Sequence, residues 1–583
     1  MEKYEIGTYR HSLAHIMAKG VLELYPGAKL AIGPAIDDGF YYDFELPVTL
    51  GPDDYETVNK KIKEVAMRKE DFTRYEISRE EALALFADQP YKVELIQDLP
   101  EDETITYYST GENFIDLCAG PHVENARELL PWAFQVASIT GAYWRGDSER
   151  PMLQRIYVYA FPDKAGLKAH LKMIEEAKKR DHRKLGPQLD LFFFDETAPG
   201  MPYWLPKGWK LFNALMDFWR EEHEARGYQE ISSPQINHTS LWKTSGHWGH
   251  YKENMFITPV SDEQVFAVKP MNCPNAMIVY KRRVHSYRDL PLRYSDCDVL
   301  HRREVSGTLH GLLRVQMFRQ DDSHNFIRED QIFEEISNIF EIADLFYGVF
   351  GLKYRVALST RPDDFMGDIA LWDKAEAELT TILDGRYGKG NYNIKEKDGA
   401  FYGPKIDIMM EDSLGRVWQT GTIQLDFQLP GNFGLTYTDR DGSLKTPVVI
   451  HRVVYGSMER FIGLLIEHFA GAFPFWISPV QVGIVPIREN HNSYGLQIQE
   501  TLRKNKIRAV IDLDDSPMGP KIKQYRHELL PYILIVGDEE MSNNTVSLRA
   551  RTGKQINNIP LEAFVAACSA LNTNREIELK EEF

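Results

Sequence analysis

The chain has 583 residues, of which 43% are apolar and 12% aromatic, an ordinary globular composition with room for about three or four domains. Its formal net charge of −18 excludes a simple polycationic coat for nucleic acid, although a locally basic face on an acidic body could still bind one. No stretch approaches 18 uninterrupted apolar residues, the start lacks an export signal, and the four cysteines share no short even spacing. These features predict a cytoplasmic protein with no membrane span and no disulfide framework.

The predicted elements change character three times along the chain. Residues 1–162 mix helices such as HSLAHIMAKGVLELYP with turn-rich strands such as AIGPAIDDGFYYDFEL, which indicates an α+β domain. Residues 163–187 carry charges around a narrow apolar stripe, which predicts a helical linker. Residues 188–477 are richer in strand formers and favour an antiparallel sheet flanked by helices, whereas 478–583 alternate strand and helix and favour a small α/β domain.

The first domain holds two polar pairs with the same spacing. His11 and His15 lie four apart in a helical stretch and so face the same side, and Cys118 and His122 repeat that separation in DLCAGPHV. A single such pair is as well explained by ordinary core or surface histidines. The set could bind zinc or form a hydrolytic pocket without metal, with the following further polar candidates: Lys92 and Asp116. Position 12 is Ser and not the Glu of a zinc protease, so proteolysis lacks its general base.

A second set consists of Cys273, His324 and His451, which are scattered in the sequence. Scatter makes a chance match easy, and a lone buried cysteine is usually inert packing. Cys273 lies in a predicted turn-like strand end, His324 follows two aspartates, and His451 follows the apolar run VVI. Three protein ligands with an open fourth position are typical of a catalytic or substrate-binding zinc site, whereas structural zinc usually has four protein ligands.

Arginines surround this set. Arg302 and Glu304 lie two apart on a predicted strand, Arg314 and Arg319 follow a glycine-containing turn, and Arg460 is predicted at the start of a helix. Guanidinium groups bind phosphate bidentately, so the group suits a triphosphate, although surface ion pairing explains any one of them. The sequence has neither a Walker loop nor a GxGxxG after a strand.

Three segments add a family resemblance that covers almost the whole chain. GYQEISSPQI, with Pro234, resembles motif 1 of class II aminoacyl-tRNA synthetases, HRRE through Arg319 resembles motif 2, and GSMERF resembles motif 3. With the two Cys/His sets, the sequence resembles the threonyl-tRNA synthetases. The implied fold is α+β multidomain, with an editing domain (1–162), a helical linker (163–187), a class II antiparallel catalytic domain (188–477) and an α/β anticodon-binding domain (478–583).

The resemblance also implies residue roles. Arg302 would bind the α-phosphate and the substrate carboxylate, Arg460 the γ-phosphate side of a bent ATP, and Glu304 the adenine amino group. Further catalytic residues would be Gln320, Lys405 and His247, the last linked to the transfer step. The substrate-binding residues would be Asp322, Tyr402, Gln419, Gln424 and Ser457. The zinc ligands would be Cys273, His324 and His451. The editing pocket would comprise His11, His15, Lys92, Asp116, Cys118 and His122. The anticodon contacts would be Glu540 and Arg549.

The implied activity is ATP-dependent activation of L-threonine and its transfer to tRNA(Thr), with hydrolysis of mischarged Ser-tRNA(Thr). The implied cofactors are one Zn²⁺ per subunit and Mg²⁺ with ATP, and motif 1 implies a homodimer. An apolar pocket separates threonine from the near-isosteric valine by only about a hundredfold, whereas a metal that binds the hydroxyl rejects valine. Serine keeps that hydroxyl, so a second, hydrolytic pocket becomes necessary. Unlike most bacterial members, this sequence begins at the editing module without a ubiquitin-like domain, so weaker binding of the acceptor arm is expected.

Two alternatives remain. A non-catalytic RNA-binding regulatory paralogue would have lost the activation chemistry, but the intact arginines and metal set oppose that interpretation. A ligase for another amino acid, such as proline or serine, is opposed by the metal set. An assay of ATP consumption distinguishes the regulatory paralogue from a ligase. Activation assays with a panel of amino acids distinguish a threonine ligase from a ligase for another amino acid.

Overall fold

A computed structural model describes residues 3–147, 149–261, 264–514 and 516–583. The chain divides into two compact units, the first reaching Glu175 and the second beginning at Glu176. The described residues include no helix that is both long enough and apolar enough to cross a bilayer.

The first unit contains five helices and eight strands among its described residues. The helices are α1 (Ile6–Leu24), α2 (Tyr55–Ala66), α3 (Arg79–Leu85), α4 (Pro90–Asp98) and α5 (Lys164–Arg180), the last of which includes the boundary between the units. The strands are β1 (Lys29–Leu30), β2 (Ala35–Ile36), β3 (Gly39–Glu45), β4 (Phe72–Ile77), β5 (Ile105–Thr110), β6 (Ile115–Leu117), β7 (Ala133–Tyr143) and β8 (Met152–Phe161).

Helix α1 forms the centre of the first unit. Leu13, Ile16 and Met17 follow the three-to-four spacing of one helix face and are fully buried in a core that includes Phe40 and Phe44 of β3. An antiparallel sheet in the order β1-β3-β8-β7 carries most of that core, and β4-β5-β6 form a second sheet. The predicted α+β character is confirmed.

The second unit contains helices α6 to α18 and strands β9 to β31. The helices are α6 (His182–Gln188), α7 (Pro206–Ala225), α8 (Thr239–Thr244), α9 (His247–His250), α10 (Cys273–Lys281), α11 (Ile332–Gly348), α12 (Ile369–Tyr387), α13 (Leu429–Asn432), α14 (Met458–His468), α15 (Asn492–Lys504), α16 (Met518–His527), α17 (Asp538–Asn543) and α18 (Leu561–Asn574). The strands are β9 (Phe192–Phe193), β10 (Tyr203–Trp204), β11 (Gln229–Glu230), β12 (Ile236–His238), β13 (Ile257–Pro259), β14 (Val265–Val268), β15 (His285–Ser286), β16 (Leu292–Asp296), β17 (Val299–His301), β18 (Met317–Arg319), β19 (Asp322–Ile327), β20 (Lys353–Ser359), β21 (Asn393–Lys395), β22 (Lys405–Glu411), β23 (Val417–Asp426), β24 (Tyr437–Thr438), β25 (Leu444–Lys445), β26 (Val448–Val453), β27 (Val482–Pro486), β28 (Ala509–Ile511), β29 (Tyr532–Val536), β30 (Thr545–Ala550) and β31 (Gln555–Pro560).

The main sheet of this unit has eight strands in the order β11-β16-β19-β26-β23-β22-β20-β21. Its central pairs are antiparallel and only the two edge pairs are parallel, so the predicted antiparallel sheet is confirmed. The register places one residue from each of five neighbouring strands in a single row: Tyr294, His324, His451, Gln424 and Lys405. Since cross-strand partners have neighbouring side chains, this row brings distant parts of the sequence together.

Helices pack against the sheet through two apolar clusters. Ile336 and Leu379, from α11 and α12, are buried with Ile406 and Ile423 of the sheet. Residues of α7 and α14 form the other cluster together with Ile408 of β22. The smaller C-terminal sheet has the order β28-β27-β29-β30-β31, in which the first three strands are parallel and the last two pairs antiparallel. Helices connect the parallel strands, which confirms the predicted α/β alternation.

Two local predictions were wrong. Cys273 begins helix α10 and does not end a strand, because Pro274 fixes a backbone angle that suits the first helical turn. Strand β17 ends at His301, so Arg302 and Glu304 lie beyond it. The Glu304 N–H is bonded to the Gln316 side chain at 3.3 Å, which takes the place of a backbone partner.

Candidate active sites

A cavity of about 390 Å³ opens beside the central strands of the second unit. Nine of the residues predicted for the site line it: Cys273, Arg302, Gln320, Asp322, His324, Tyr402, Lys405, Gln424 and His451. Strands β19, β22, β23 and β26 and the start of α10 supply most of them, so the register of the sheet assembles the site.

Cys273, His324 and His451 converge in this cavity. One ligand atom from each lies within 4.8 Å of the others, and all three side chains are buried. His324 Nδ1 is buried without a hydrogen-bond partner among the residues that the structure describes. A sulfur and two imidazoles are donors that zinc prefers, and His324 keeps a ring nitrogen that no described protein group uses.

Two aspartates, Asp426 and Asp322, lie close to these three residues. His451 Nε2 lies 2.8 Å from Asp426 Oδ2, while Asp426 Oδ1 accepts the backbone N–H groups of residues 428 and 429. A carboxylate behind a histidine fixes its tautomer and makes it a better ligand. Burial raises the pKa of Asp322 to about 6, and its carboxylate accepts the Asn272 amide at 3.2 Å. Asp426 was missed by the sequence analysis, because an aspartate at a strand end carries no motif of its own.

The arginines are held by backbone carbonyls. Arg302 Nε donates to Pro270 O at 3.2 Å. Arg460, on α14, donates from Nε to Leu313 O at 2.8 Å and from Nη1 to Gln419 O at 3.2 Å. These bonds fix the positions of both guanidinium groups before any ligand is present, which lowers the entropy lost on binding.

Other predicted residues are engaged within the protein. Glu304 accepts the Arg314 guanidinium at 2.9 Å in a partly exposed pair. The Ser457 hydroxyl accepts the Arg460 backbone N–H at 3.2 Å and so caps α14. His247 is fully buried, with Nε2 3.0 Å from Met271 Sδ and 3.9 Å from Cys273 Sγ. It therefore lies behind the Cys273 thiol in the described structure.

Asp407 accepts hydrogen bonds from two of the predicted residues. The sequence did not identify it as a site residue. It is fully buried and accepts Lys405 Nζ at 3.0 Å and Gln419 Nε2 at 2.7 Å. The only available signal was the alternation KIDIM, in which Lys405 and Asp407 lie two apart on one face of a strand.

In the first unit, the two polar pairs meet beside a second cavity, which His11, His15 and Cys118 line. Cys118 Sγ lies 3.4 Å from His11 Nε2 and 3.3 Å from His122 Nε2, and the His15 and His122 ring centroids are 4.1 Å apart. Helix α1 provides the first pair, and the segment after β6 provides the second. All four side chains are buried or half-buried, so the structure brings together the set that the sequence proposed.

A buried ion pair forms the floor of this cavity. Lys92 Nζ lies 2.5 Å from Asp116 Oδ1, and the Tyr42 hydroxyl donates to Asp116 Oδ2 at 2.5 Å. Burial lowers the pKa of His11 and of His122, and it raises the pKa of Cys118 to about 12. The imidazoles are therefore neutral and the thiol protonated at neutral pH, which suits activation of water by a neutral base.

Ser12 fixes the tautomer of one of these histidines, His122. Its hydroxyl donates to Thr8 O at 2.8 Å and accepts the Val123 N–H at 3.1 Å. The contact of 3.1 Å between Ser12 Oγ and His122 Nδ1 is then satisfied when Nδ1 carries the proton, so Nε2 keeps its lone pair toward Cys118. In the sequence, Ser12 is distinctive only because Glu would occupy that position in a zinc protease.

The predicted anticodon residues lie in the C-terminal sheet region. Glu540, on α17, accepts the Gly537 N–H at 2.9 Å and the Ser547 hydroxyl at 2.6 Å. Arg549 lies on β30, and both side chains are half-buried.

Comparisons with known proteins agree with this architecture. Residues 256–469 match the tRNA synthetase class II core domain (G, H, P, S and T), residues 481–571 the anticodon binding domain, and residues 105–157 the threonyl and alanyl tRNA synthetase second additional domain. The threonine–tRNA ligase of Acetivibrio thermocellus is 51% identical over 571 residues, covering 97% of this chain and 89% of the relative. That of Clostridium tetani is 49% identical over 573 residues, covering 98% and 89%.

Two solved structures are similar over part of the chain. One is the RNA binding domain of threonyl-tRNA synthetase from Cryptosporidium parvum Iowa II, with 40% identity, a TM-score of 0.65, and coverage of 69% of this chain and 99% of that one. The other is a putative threonyl-tRNA synthetase from Aeropyrum pernix, with 26% identity, a TM-score of 0.59, and coverage of 68% and 96%.

The core and anticodon-binding matches, together with the antiparallel sheet, define a class II aminoacyl-tRNA synthetase with an editing domain. The similarity over nearly the full length is more specific: the chain belongs to the threonine–tRNA ligases. The predicted family, fold class and enzyme class are thereby confirmed.

Proposed function

We propose that this enzyme activates L-threonine with ATP, transfers it to tRNA(Thr), and hydrolyses mischarged Ser-tRNA(Thr) in its first unit. The observation that carries the proposal is the convergence of Cys273, His324 and His451 in a cavity that Arg302 also lines. The residues proposed for a hydroxyl-bearing amino acid and an arginine proposed for phosphate would thus act in one cavity.

Cys273, His324 and His451 would hold one Zn²⁺ per subunit, because their donor set, their mutual distances and the unpartnered His324 Nδ1 fit that ion. When bound, the metal supplies an open position that distinguishes a hydroxyl from a methyl group. The protein's own contribution is to orient the ligands: Asp426 holds His451, and the register of β19 with β26 pairs the two histidines. Tyr402 and Gln424 line the same cavity and would contact the amino acid.

The activation step needs negative charge to be offset while the threonine carboxylate attacks the α-phosphorus. That carboxylate is already ionised, so no general base is required. Arg302 would bind the α-phosphate, Arg460 the γ-phosphate side, and Mg²⁺ would accompany ATP. Glu304 would read the adenine amino group once Arg314 releases it, and Lys405 with Gln320 would complete the reactive centre. His247 is assigned to the transfer step.

The editing proposal rests on the neutral cluster over the Lys92–Asp116 pair. His122 Nε2 or His11 would activate the water that attacks the seryl ester, and the cation of Lys92 would offset charge that develops on the ester oxygen. His11→Ala should leave threonine activation unchanged and let Ser-tRNA(Thr) accumulate, with His170→Ala as a matched control outside the cavity. Rapid clearance of Ser-tRNA(Thr) by His11→Ala would refute the assignment.

Partner assignments complete the proposal. The domain of residues 478–583 would read the anticodon through Glu540 and Arg549, and the segment around Pro234 would form a homodimer, where Ile236 is an exposed apolar residue. The domain boundaries at 162, 187 and 477 are proposed likewise. The cytoplasm is the proposed compartment, because aminoacylation serves translation there.

One experiment tests the main proposal. Purified enzyme is assayed for ATP–pyrophosphate exchange with threonine, serine, valine and proline, and its zinc content is measured in parallel. Threonine-dependent exchange with about one zinc per chain is the expected result. Exchange with proline in place of threonine would identify a different ligase, and no ATP consumption would identify a regulatory paralogue.

A further inference from the structure

His182 is a fully buried histidine that belongs to neither predicted site. It begins α6, and its ring bonds at both nitrogens. Nδ1 lies 2.6 Å from Glu467 Oε1 on α14, and Nε2 lies 3.0 Å from the backbone nitrogen of Leu312. Leu312 lies within the motif 2 segment, between Glu304 and Arg319.

The partners fix the tautomer of His182. A backbone N–H can only donate, so Nε2 accepts from Leu312 and Nδ1 carries the proton toward Glu467. Glu467 also accepts the His182 backbone N–H at 3.2 Å, and its other oxygen contacts the Arg416 guanidinium. Both oxygens of the Glu467 carboxylate therefore accept hydrogen bonds, and the carboxylate holds the imidazole of His182 in one orientation.

A metal does not explain this cluster, although Asp181, His182 and Glu467 have ligand atoms within 4.8 Å of one another. The His182 lone pair is used by the Leu312 N–H, and Asp181 is bonded to the Arg183 guanidinium at 2.6 Å. The donors needed for a cation are therefore already engaged.

Glycines permit the close approach of the motif 2 segment to His182. Gly311 has a φ of +50°, and a Cβ there would lie 2.2 Å from His182 Nε2. On α14, a Cβ at Gly463 would lie 3.2 Å from Leu312 Cβ and 3.1 Å from Leu313 Cδ2. The segment is thus clamped between the imidazole and the helix, with no space for a side chain at position 311.

The next residue of this segment contacts an arginine that is proposed to bind ATP. Leu313 O accepts Arg460 Nε at 2.8 Å, directly after the residue that His182 holds. Arg460 and Glu467 lie on α14 about two turns apart, so they share one face of the helix. His182 therefore connects the two ends of this face through the segment of residues 311–313.

We propose that His182 is a positioning residue for the nucleotide step: its Nε2 fixes the Leu312 amide, and the adjacent Leu313 carbonyl then orients Arg460. This inference rests on the proposed role of Arg460 in ATP binding. It predicts an effect on ATP and none on threonine, because the contacts described for His182 include none of the residues proposed to bind threonine.

Two variants separate the nitrogens. The amide of His182→Asn keeps a donor near the place of Nδ1 but has no atom at the place of Nε2, whereas the longer His182→Gln presents an oxygen toward Leu312. In pyrophosphate exchange, His182→Asn should raise the KM for ATP about tenfold, as expected for one buried N–H without a partner. His182→Gln should restore it to within about threefold, and the KM for threonine should stay unchanged in both.

The control is His491→Asn, which removes a buried histidine bonded to Asp538 in the C-terminal region. It should leave the KM for ATP unchanged. An unchanged KM for ATP in His182→Asn, or an equal rise in both KM values, would overturn the inference, whereas absence of exchange in the wild-type enzyme would overturn the proposed function.

A second measurement uses the wild-type enzyme and does not depend on a variant that folds. Hydrogen exchange at the Leu312 amide should be slow without ATP, since the amide is bonded to a fully buried ring. An amide that exchanges at the rate of an open loop would also overturn the inference.

Discussion

The two Cys/His clusters of this enzyme contain the same types of side chain in different surroundings. In the first unit, His122 is backed by the Ser12 hydroxyl, and the cluster lies over the Lys92–Asp116 ion pair. In the second unit, His451 is backed by the Asp426 carboxylate. Both clusters are largely buried, so burial alone does not distinguish them.

The group behind each histidine is what differs. A carboxylate raises the basicity of an imidazole and favours metal binding. A hydroxyl that accepts a hydrogen bond from Nδ1–H instead fixes the neutral tautomer in which Nε2 keeps its lone pair. We infer that the neighbour of a histidine, more than the histidine itself, decides whether it would serve as a metal ligand or as a general base.

Removing a ligand should have the largest effect. Cys273→Ala should lower threonine-dependent pyrophosphate exchange by more than about a hundredfold, because loss of a direct ligand exceeds the 10- to 100-fold typical of supporting residues. Zinc content should fall from about one per chain to near zero. Cys297→Ala, a cysteine that contacts Met216 outside the cavity, is the matched control. Undiminished exchange in Cys273→Ala would reject the metal role.

Removing the carboxylate should have the next largest effect. Asp426→Asn keeps an oxygen for the two backbone N–H groups but loses the charge behind His451, so zinc affinity or exchange should fall about 10- to 100-fold. Zinc titration with a chelator measures the affinity. Equal affinity in the variant would mean that His451 needs no carboxylate and would break the comparison.

Removing the hydroxyl should affect only the first unit. Ser12→Ala frees the His122 tautomer, and deacylation of Ser-tRNA(Thr) should slow by about tenfold, a modest share of what a general base contributes. Threonine activation should not change, which serves as the internal control. Ser78→Ala, a helix N-cap elsewhere in this unit, controls for a general loss of stability. Full deacylation by Ser12→Ala would show that the tautomer does not matter.

The smallest effect concerns pH. Burial lowers the pKa of His11 and His122, so both imidazoles stay neutral, and able to accept a proton, as the pH falls through 6.5. Deacylation, corrected for uncatalysed hydrolysis, should therefore fall less between pH 8 and 6 than it would with an ordinary imidazole base, which loses about three-quarters of its neutral form over that range. A fall with a midpoint near 6.5 would contradict the neutral cluster.

Local patterns predicted much of the fold. The three-to-four spacing in α1 gave both the buried stripe of Leu13 and Met17 and the common face of His11 and His15. The predictions failed where a local cue was outweighed, as at Cys273, where Pro274 starts a helix. They also failed beyond β17, where the side chain of Gln316 takes the place of a backbone partner.

The sequence by itself determined the residue types, the helical pairing of His11 with His15, and the motif resemblance that predicted the family. Only the tertiary structure decided that His324, His451, Gln424 and Lys405 share one row, because strand register depends on pairing between segments far apart in the chain. It likewise decided that Ser12 and Asp426 lie behind the histidines and that His182 holds the Leu312 amide. These contacts depend on packing across more than a hundred residues for Ser12 and His182, for which a sequence carries no local signal.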